Sequence, residues 1–486
     1  MSVHPLAKLD HRYVWHPFTQ MRDWLRTEPI IIAEGRGAVL EDVRGRKYLD
    51  ANSSIWTNLH GHNHPQINAA IARQLRKVAH SSALGLANEP ASLLGQRLID
   101  AANRPRLPRL SKVFYSDDGS TAMEVALKLA YEFARRTRGV RSPRFLSLKG
   151  AYHGDTIGAV SLGHVDLFHK AYSGLLFRTE SVPAPYCYRC PHNRAKPQRA
   201  DAREYRKCNW ECVAKVEQRF SAQKQKGDSY AAFVVEPLMQ GAAGMIPQPN
   251  GWLKRVSAIA RSHGSLIIAD EVMTGFGRTG VPARDASLFA SHHESVQPDL
   301  MALAKGMTGG YLPMAATLAT QAIFDAFLGD YADFKTFFHG HSYTANQLGA
   351  AASLASLDLL QSPKSIRDRM TLQNALEENL ARLWDLPQVG DIRQVGLVAG
   401  VELVKDWRTR APFPLEHRAG IRVCDAMARR GALTRPIGNV IVIMPPYCTT
   451  PAQVERIISA LDESVSEVLG GPTYNRKARR LEREKA

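Results

Sequence analysis

Three features of this chain predict an α/β fold organised on a mostly parallel sheet. Short apolar runs alternate with amphipathic helical stretches along most of its length. Some of those runs end on an acid or a glycine-rich loop, and ligands collect beyond the carboxyl ends of parallel strands. The 486 residues, 44% hydrophobic and 22% charged, are enough for a large core with more than one subdomain.

The most informative run is Ser265, Leu266, Ile267, Ile268 and Ala269, ending on Asp270 and Glu271. A glycine-rich loop follows: Thr274, Gly275, Phe276, Gly277 and Arg278. A second run, from Pro298 through Leu303 and Ala304, delivers Lys305 against Gly306. An acid that holds a protonated pyridine nitrogen and a desolvated lysine that takes an aldehyde are what pyridoxal phosphate chemistry needs. An aspartate after one strand and a lysine after another also arise by chance in any large α/β protein, so this pair alone does not decide.

The remaining elements follow in chain order. Residues 1–60 read as an N-terminal segment with an aromatic-rich start over 11–21 and a hairpin over 38–50 that turns at Arg44 and Gly45. His60, His62 and His64 alternate as metal ligands can. Gly61 and Pro65 nevertheless make this stretch a turn into a helix over 66–78. A strand near 112–116 gives way to Gly119, Ser120 and Thr121 and then to a helix through Arg135. That helix start is either a phosphate site or an ordinary N-cap. The strand over 144–148 leads to Tyr152, an aromatic between glycines that can stack on a flat ring.

A further strand ends at Glu236, and a helix over 251–263 precedes the Asp270 strand. Beyond Lys305 come a strand near 314–319, then a loop from Phe337 to Asn346 that opens a helix to Leu360. A C-terminal unit begins near Lys364. It reads helix to 383, strand 397–404, helix 416–430, strand 440–444 and helix 451–469. Arg435, just before an apolar strand, is either a surface cation or a clamp for a carboxylate. The expected organisation is an N-terminal segment (1–60) packing with the small domain, a large domain (61–363), a small domain (364–470) and a basic tail (471–486).

Cys187 and Cys190, then Cys208 and Cys212, form two close pairs within an excursion over 183–228. Their spacing approaches a zinc ribbon, although the second pair has three spacer residues, and four reduced thiols in a surface loop is the plainer reading. No catalytic metal is expected. The formal net charge of +17 is partly in the tail and otherwise scattered, so it does not mark a nucleic-acid face. A nucleic-acid-binding reading would also leave Asp270, Lys305 and the Gly119–Ser120 loop without a purpose. The longest apolar runs are too short to span a bilayer and no signal pattern opens the chain; a cytoplasmic location is the expectation.

Asp270, Glu271 and Val272, with Thr274, Gly275, Phe276, Gly277, Arg278, Thr279 and Gly280 and the lysine at 305, resemble the class III pyridoxal phosphate aminotransferases of fold type I. His16, Pro17, Phe18, Thr19, Gln20 and Met21, then Ser53, Ser54, Ile55 and Trp56, then Gly340, His341 and Ser342, and finally Arg435 and Pro436, resemble the biotin-pathway 8-amino-7-oxononanoate aminotransferases within that class. The resemblance runs from about 11 to about 469. It implies a large domain with a mostly parallel seven-stranded sheet and a smaller α/β C-terminal domain.

It also implies roles. Lys305 would hold pyridoxal phosphate and carry the proton, while Asp270 would keep the ring nitrogen protonated. Gly119 and Ser120 would hold the phosphate, with His341 and Ser342 reaching it from the second subunit of a homodimer with shared active sites. Tyr152 would stack on the ring. Phe18, Ile55, Trp56, Tyr152, Gly340 and Arg435 would border the substrate, with Arg435 on its carboxylate. The implied reaction aminates the C7 ketone of 8-amino-7-oxononanoate, with S-adenosylmethionine as donor. The branch using that donor has Tyr at the position of Phe18 and Trp at that of Ile55. Both changes fall in the substrate pocket, so lysine as donor, or a different ω-amine substrate, stands as the alternative.

Overall fold

The computed structural model of the protein describes residues 3–104, 110–281 and 287–470; the basic tail lies outside them. Its centre is a seven-stranded sheet. Across it run Leu110–Ser116, Ala315–Thr320, Leu300–Leu303, Leu266–Asp270, Ala232–Val235, Phe145–Leu148 and Glu180–Val182. Five of these strands pair in parallel, and Ala315–Thr320 runs antiparallel to both its neighbours. The sheet is thus the mostly parallel one that the sequence predicts.

The strands read as unbroken apolar runs because both faces of the sheet are covered. Side chains alternate in direction along a strand. Ile268 therefore packs with Val234 and Ala302 against the helix Gly119–Arg138, while Ile267 packs with Phe233 and Val235 against Glu211–Lys224 and Trp252–Ser262. Asp118 caps the long helix by accepting from the Thr121 amide at 2.9 Å, and the Thr121 hydroxyl takes the Asp118 amide in return.

The C-terminal part builds an antiparallel sheet in the order Val389–Val395, Val398–Asp406, Val440–Ile443 and Pro436–Ile437. The helices Ala419–Arg429 and Pro451–Leu469 pack with it. At the N-terminus, Ile32–Arg36, Val39–Asp42 and Lys47–Asp50 form antiparallel pairs. A second pairing, parallel, joins Lys47–Asp50 to Ala432–Leu433. This pairing ties the N-terminal segment to the C-terminal part. No helix among the described residues is long and apolar enough to cross a membrane.

Candidate active site

The carboxyl ends of Phe145–Leu148, Leu266–Asp270 and Leu300–Leu303 open onto a cavity of about 420 Å³. Six of the residues expected at a site line it: Trp56, Gly119, Ser120, Tyr152, Asp270 and Lys305. Asp270 ends its strand buried, with Oδ1 accepting the Val272 amide at 3.0 Å. Its Oδ2 lies 2.7 Å from Nδ1 of His153. Burial alone would lower the His153 pKa, but the bonded Asp270 carboxylate outweighs it and the pKa is raised. Sequence reading passed over His153, although it stands between Tyr152 and Gly154 in the loop already singled out.

Glu236 was also missed as a site residue. It is fully desolvated next to Asp270, and that burial pushes its carboxyl up to about 7. Its two oxygens accept the amides of Tyr152 at 3.2 Å and Gly241 at 2.8 Å. Lys305 sits in the same field. Burial lowers its pKa, and Asp270 and Glu236 oppose that shift. A lysine held toward its neutral form is the nucleophilic one. It follows the Leu300–Leu303 strand with φ +41, a backbone conformation that a non-glycine residue rarely adopts. Its Nζ lies 5.1 Å from the centre of the Trp56 ring.

Trp56 is placed by an unusual turn. Ser53, Ser54, Ile55 and Trp56 all have positive φ, from +47 to +70. Left-handed backbone costs roughly 1–2 kcal/mol per residue outside glycine. Here side-chain bonds hold it: the Ser53 hydroxyl donates to the Met444 carbonyl at 2.7 Å, the Ser54 hydroxyl to Asp50 at 3.0 Å, and the Trp56 indole to Asn52 at 2.8 Å.

The residues fit pyridoxal phosphate on three observations. The first-turn amides of Gly119 and Ser120 have no intrahelical acceptor, while those of Thr121 and Ala122 are already taken by Asp118. A Cβ on Gly119 would stand 2.7 Å from the Val272 side chain, and one on Gly154 (φ +126) would collide with Ser120, so neither position has room for a side chain. An acid for a ring nitrogen and a desolvated lysine share the cavity with Tyr152. The Tyr152 ring stacks parallel to His169 at 5.9 Å, and its hydroxyl donates to Asp155 at 2.8 Å.

A second cavity of about 1300 Å³ adjoins the first at Trp56. Phe18, Ile55 and Arg435 line it, with Phe168, Tyr172 and Leu175 among its apolar walls. Phe18 meets Phe168 edge-on at 5.4 Å. Arg418, not singled out from sequence, also lines it but is paired with Asp23 at 3.0 Å. Arg435 has no hydrogen-bond or ion-pair partner among the described residues.

The structure does not bring every expected residue together. Gly340, His341 and Ser342 do not line either cavity of their own chain. His341 stands with Nδ1 3.4 Å from Asp117, and the Ser342 carbonyl lies 2.7 Å from a ring nitrogen of His80. The three alternating histidines point to separate partners: His60 to Ser356 at 2.9 Å, His62 to Asp50 at 3.0 Å, and His64 precedes the Pro65–Lys77 helix.

All four clustered cysteines are free thiols, and no group of three or more His, Cys, Asp or Glu among the described residues is placed to hold a metal. Cys208 instead accepts from the Arg206 guanidinium at 3.0 Å. Burial pushes the Cys187 and Cys212 thiols up to about 12 and about 11.

Comparison with known proteins agrees with this geometry. The family model for class III aminotransferases matches residues 21–465. The adenosylmethionine-8-amino-7-oxononanoate aminotransferase of Geobacter sulfurreducens is 47% identical over 96% of this chain and 98% of its own. The crystal structure of the Methanocaldococcus jannaschii enzyme of the same name superposes with a TM-score of 0.85 at 38% identity, covering 95% of this chain and 98% of that one. An omega transaminase from Pseudomonas jessenii, in complex with PMP, gives a TM-score of 0.86 at 26% identity over 96% of this chain and all of its own. The chain belongs to the class III aminotransferases and, within them, is an aminotransferase of the adenosylmethionine-8-amino-7-oxononanoate type.

Proposed function

We propose that this protein uses pyridoxal phosphate to transfer an amino group to the C7 ketone of 8-amino-7-oxononanoate, giving 7,8-diaminononanoate in biotin biosynthesis, with S-adenosylmethionine as donor. One observation carries the substrate reading. The larger cavity has apolar walls and, at Arg435, a guanidinium without an acid partner among the described residues; it meets the Lys305 pocket at Trp56. A linear acid with an apolar chain and a reactive end matches that arrangement, and a guanidinium fork suits its carboxylate.

When bound, pyridoxal phosphate supplies an aldehyde that accepts an amino group and a ring that spreads the charge left by proton loss. The chain supplies the rest. Gly119 and Ser120 offer amides and a hydroxyl to the phosphate at a helix start. Asp270, fixed by His153 and the Val272 amide, would hold the proton on the ring nitrogen. Lys305 would hold the aldehyde, and its Nζ, kept toward the neutral form by burial, would carry the proton. Tyr152 and Trp56 line the cavity around Lys305.

The same reading makes the protein a homodimer in which His341 and Ser342 of one copy complete the phosphate site of the other. In support, these residues stand outside their own cavities on a stretch that exposes Tyr331, Phe334, Phe338 and Tyr343. Apolar surface of that kind marks a contact face. A cytoplasmic location fits small soluble substrates.

The test mixes the cofactor-loaded protein separately with S-adenosylmethionine and with lysine, and then adds 8-amino-7-oxononanoate. The expected result is loss of the cofactor's absorbance band with S-adenosylmethionine and its return with the keto acid. Bleaching by lysine alone would name the alternative donor and tie that choice to the missing hydroxyl at Phe18 and the missing aromatic face at Ile55. If neither amine acts, the biotin-pathway reading falls and another ω-amine becomes the substrate to seek.

A further inference from the structure

A cluster of buried charge sits where the C-terminal sheet, the cysteine excursion and the large domain meet. Arg393, 1% exposed, lies on the Val389–Val395 strand. Its Nη1 donates to Asp391 at 2.9 Å and to Glu402 at 2.6 Å. Its Nε donates to the carbonyls of Gly244 at 3.0 Å and Met245 at 2.9 Å, and Nη2 donates again to Gly244 at 2.6 Å. Glu402 is also held by two residues of the excursion: Arg189, whose Nε donates to Oε1 at 2.7 Å, and the Tyr186 hydroxyl, which shares Oε2 with Arg393.

Stability alone is a poor reason for such a cluster. Desolvating three charges is costly, and apolar side chains of equal volume often do as well. What it does that apolar packing does not is hold two specific carbonyls. Gly244 (φ +109) and Met245 (φ +53) form a tight turn whose amides donate to the Gly241 carbonyl at 3.0 and 2.9 Å. The Gly241 amide in turn donates to Glu236 at 2.8 Å. Ala242, next in this turn, lines the Lys305 cavity, and Gly241 is packed against Met273 and Trp56. A contiguous path therefore leads from the excursion to the wall of the candidate active site.

We infer that Arg393 is a positioning residue for that site: it fixes the 241–245 turn and, through the Gly241 amide, the orientation of Glu236 beside Asp270 and His153. The inference rests on the pyridoxal phosphate reading. The groups facing Glu236 are the Tyr152 and Gly241 amides, His153, Asp270 and, across the cavity, Lys305. Those facing Arg393 are Asp391, Glu402 and Tyr186, with Arg189 behind Glu402. Arg393 itself does not line the cavity.

The test is a cycle of four full-length, cofactor-loaded proteins: the unmodified chain, Arg393→Lys, Glu236→Gln and the double variant. Lysine keeps the charge but lacks the fork that serves two carboxylates and two carbonyls at once. Two quantities are read: the dissociation constant for pyridoxal phosphate, and the pH midpoint of the bound cofactor's absorbance change. Arg393→Lys is expected to weaken cofactor binding by about tenfold and to move the midpoint by roughly half a unit, with less than about a twofold effect once Glu236 is Gln, because coupled residues are not additive. Equal effects in both backgrounds, or a melting-temperature change with both quantities unmoved, overturn the inference.

If Arg393→Lys does not fold, Tyr186→Phe, which removes one donor from Glu402, enters the same cycle, and an effect of about threefold that vanishes beside Glu236→Gln is expected. Equal or absent effects there overturn the inference as well. An unmodified protein that never takes up pyridoxal phosphate is a separate failure: it defeats the cofactor reading and takes this inference with it.

Discussion

Nδ1 of His153 stands 2.7 Å from Oδ2 of Asp270, and both side chains are buried beneath the Lys305 cavity. The other Asp270 oxygen is occupied by the Val272 amide. The carboxylate is therefore fixed in direction from two sides before any ligand arrives. A group that must hold a proton on a ring nitrogen gains from such preorganisation, because no reorientation is left for the moment of reaction.

His153→Leu removes one of those holds and leaves the Asp270 carboxylate short of a donor. A hydrogen bond to a charged group contributes about 1.5–3 kcal/mol, so pyridoxal phosphate should bind roughly 10- to 100-fold more weakly. Equilibrium titration of the cofactor's absorbance measures this. His153→Gln, which keeps a donor, should recover part of the loss. Unchanged affinity in His153→Leu would mean that the Val272 amide suffices.

Lys305→Ala should abolish turnover and the absorbance band that depends on the lysine amine. The residue is buried between Asp270, Glu236 and the Trp56 ring, and its lowered pKa favours the neutral amine. Lys305→Arg keeps a cation there but never the nucleophile, and should be equally inactive. Retained turnover in either protein would refute the assigned mechanism.

Glu236 sets a pH dependence whose sign is fixed. Burial lifts its carboxyl from 4.5 to about 7 in the folded state. The folded protein therefore binds this proton more tightly than the unfolded chain. The contribution is complete below about pH 4.5 and is lost as pH rises through about 7. Glu236→Gln, which cannot ionise, should lose less stability than the unmodified chain between pH 5 and pH 8. The difference is on the order of 2–3 kcal/mol. Parallel melting-temperature profiles across that window would disprove it.

The sheet, and the placement of Asp270 and Lys305 at its strand ends, were legible because local rules govern both. Leu266–Asp270 and Leu300–Leu303 are uninterrupted apolar runs that stop where chemistry begins. The helix starts read at Gly119 and at 451 are capped in the structure by Asp118 and Thr450. The Val389–Val395 strand escaped notice because Asp391 and Arg393 interrupt its apolar pattern. Both are buried only because they neutralise each other and Glu402, a pairing that no local window shows. His153 and Asp270 are 117 residues apart and meet only once the sheet order is set. The left-handed turn of Ser53, Ser54, Ile55 and Trp56 contradicts local preference and is held by bonds to distant elements, among them the Met444 carbonyl.

Arg435 provides the sharpest test of the substrate reading. Arg418, the other arginine in the larger cavity, is already paired with Asp23, which leaves Arg435 as the cation without a partner among the described residues. If it grips the acceptor's carboxylate, the contact forms far from the reacting centre and is the same in the ground and transition states. Removing it should then raise KM and leave kcat nearly unchanged. Arg435→Ala is expected to raise KM for 8-amino-7-oxononanoate by roughly 10- to 100-fold, the value of a charge-assisted hydrogen bond. The methyl ester of the same acceptor has no carboxylate to lose, so its KM should be poor with the unmodified chain and change little in the variant. Steady-state kinetics on both acceptors separates the outcomes. An equal rise for acid and ester would show that Arg435 shapes the cavity rather than reading the charge. A fall in kcat with KM unmoved would place it in the chemistry instead.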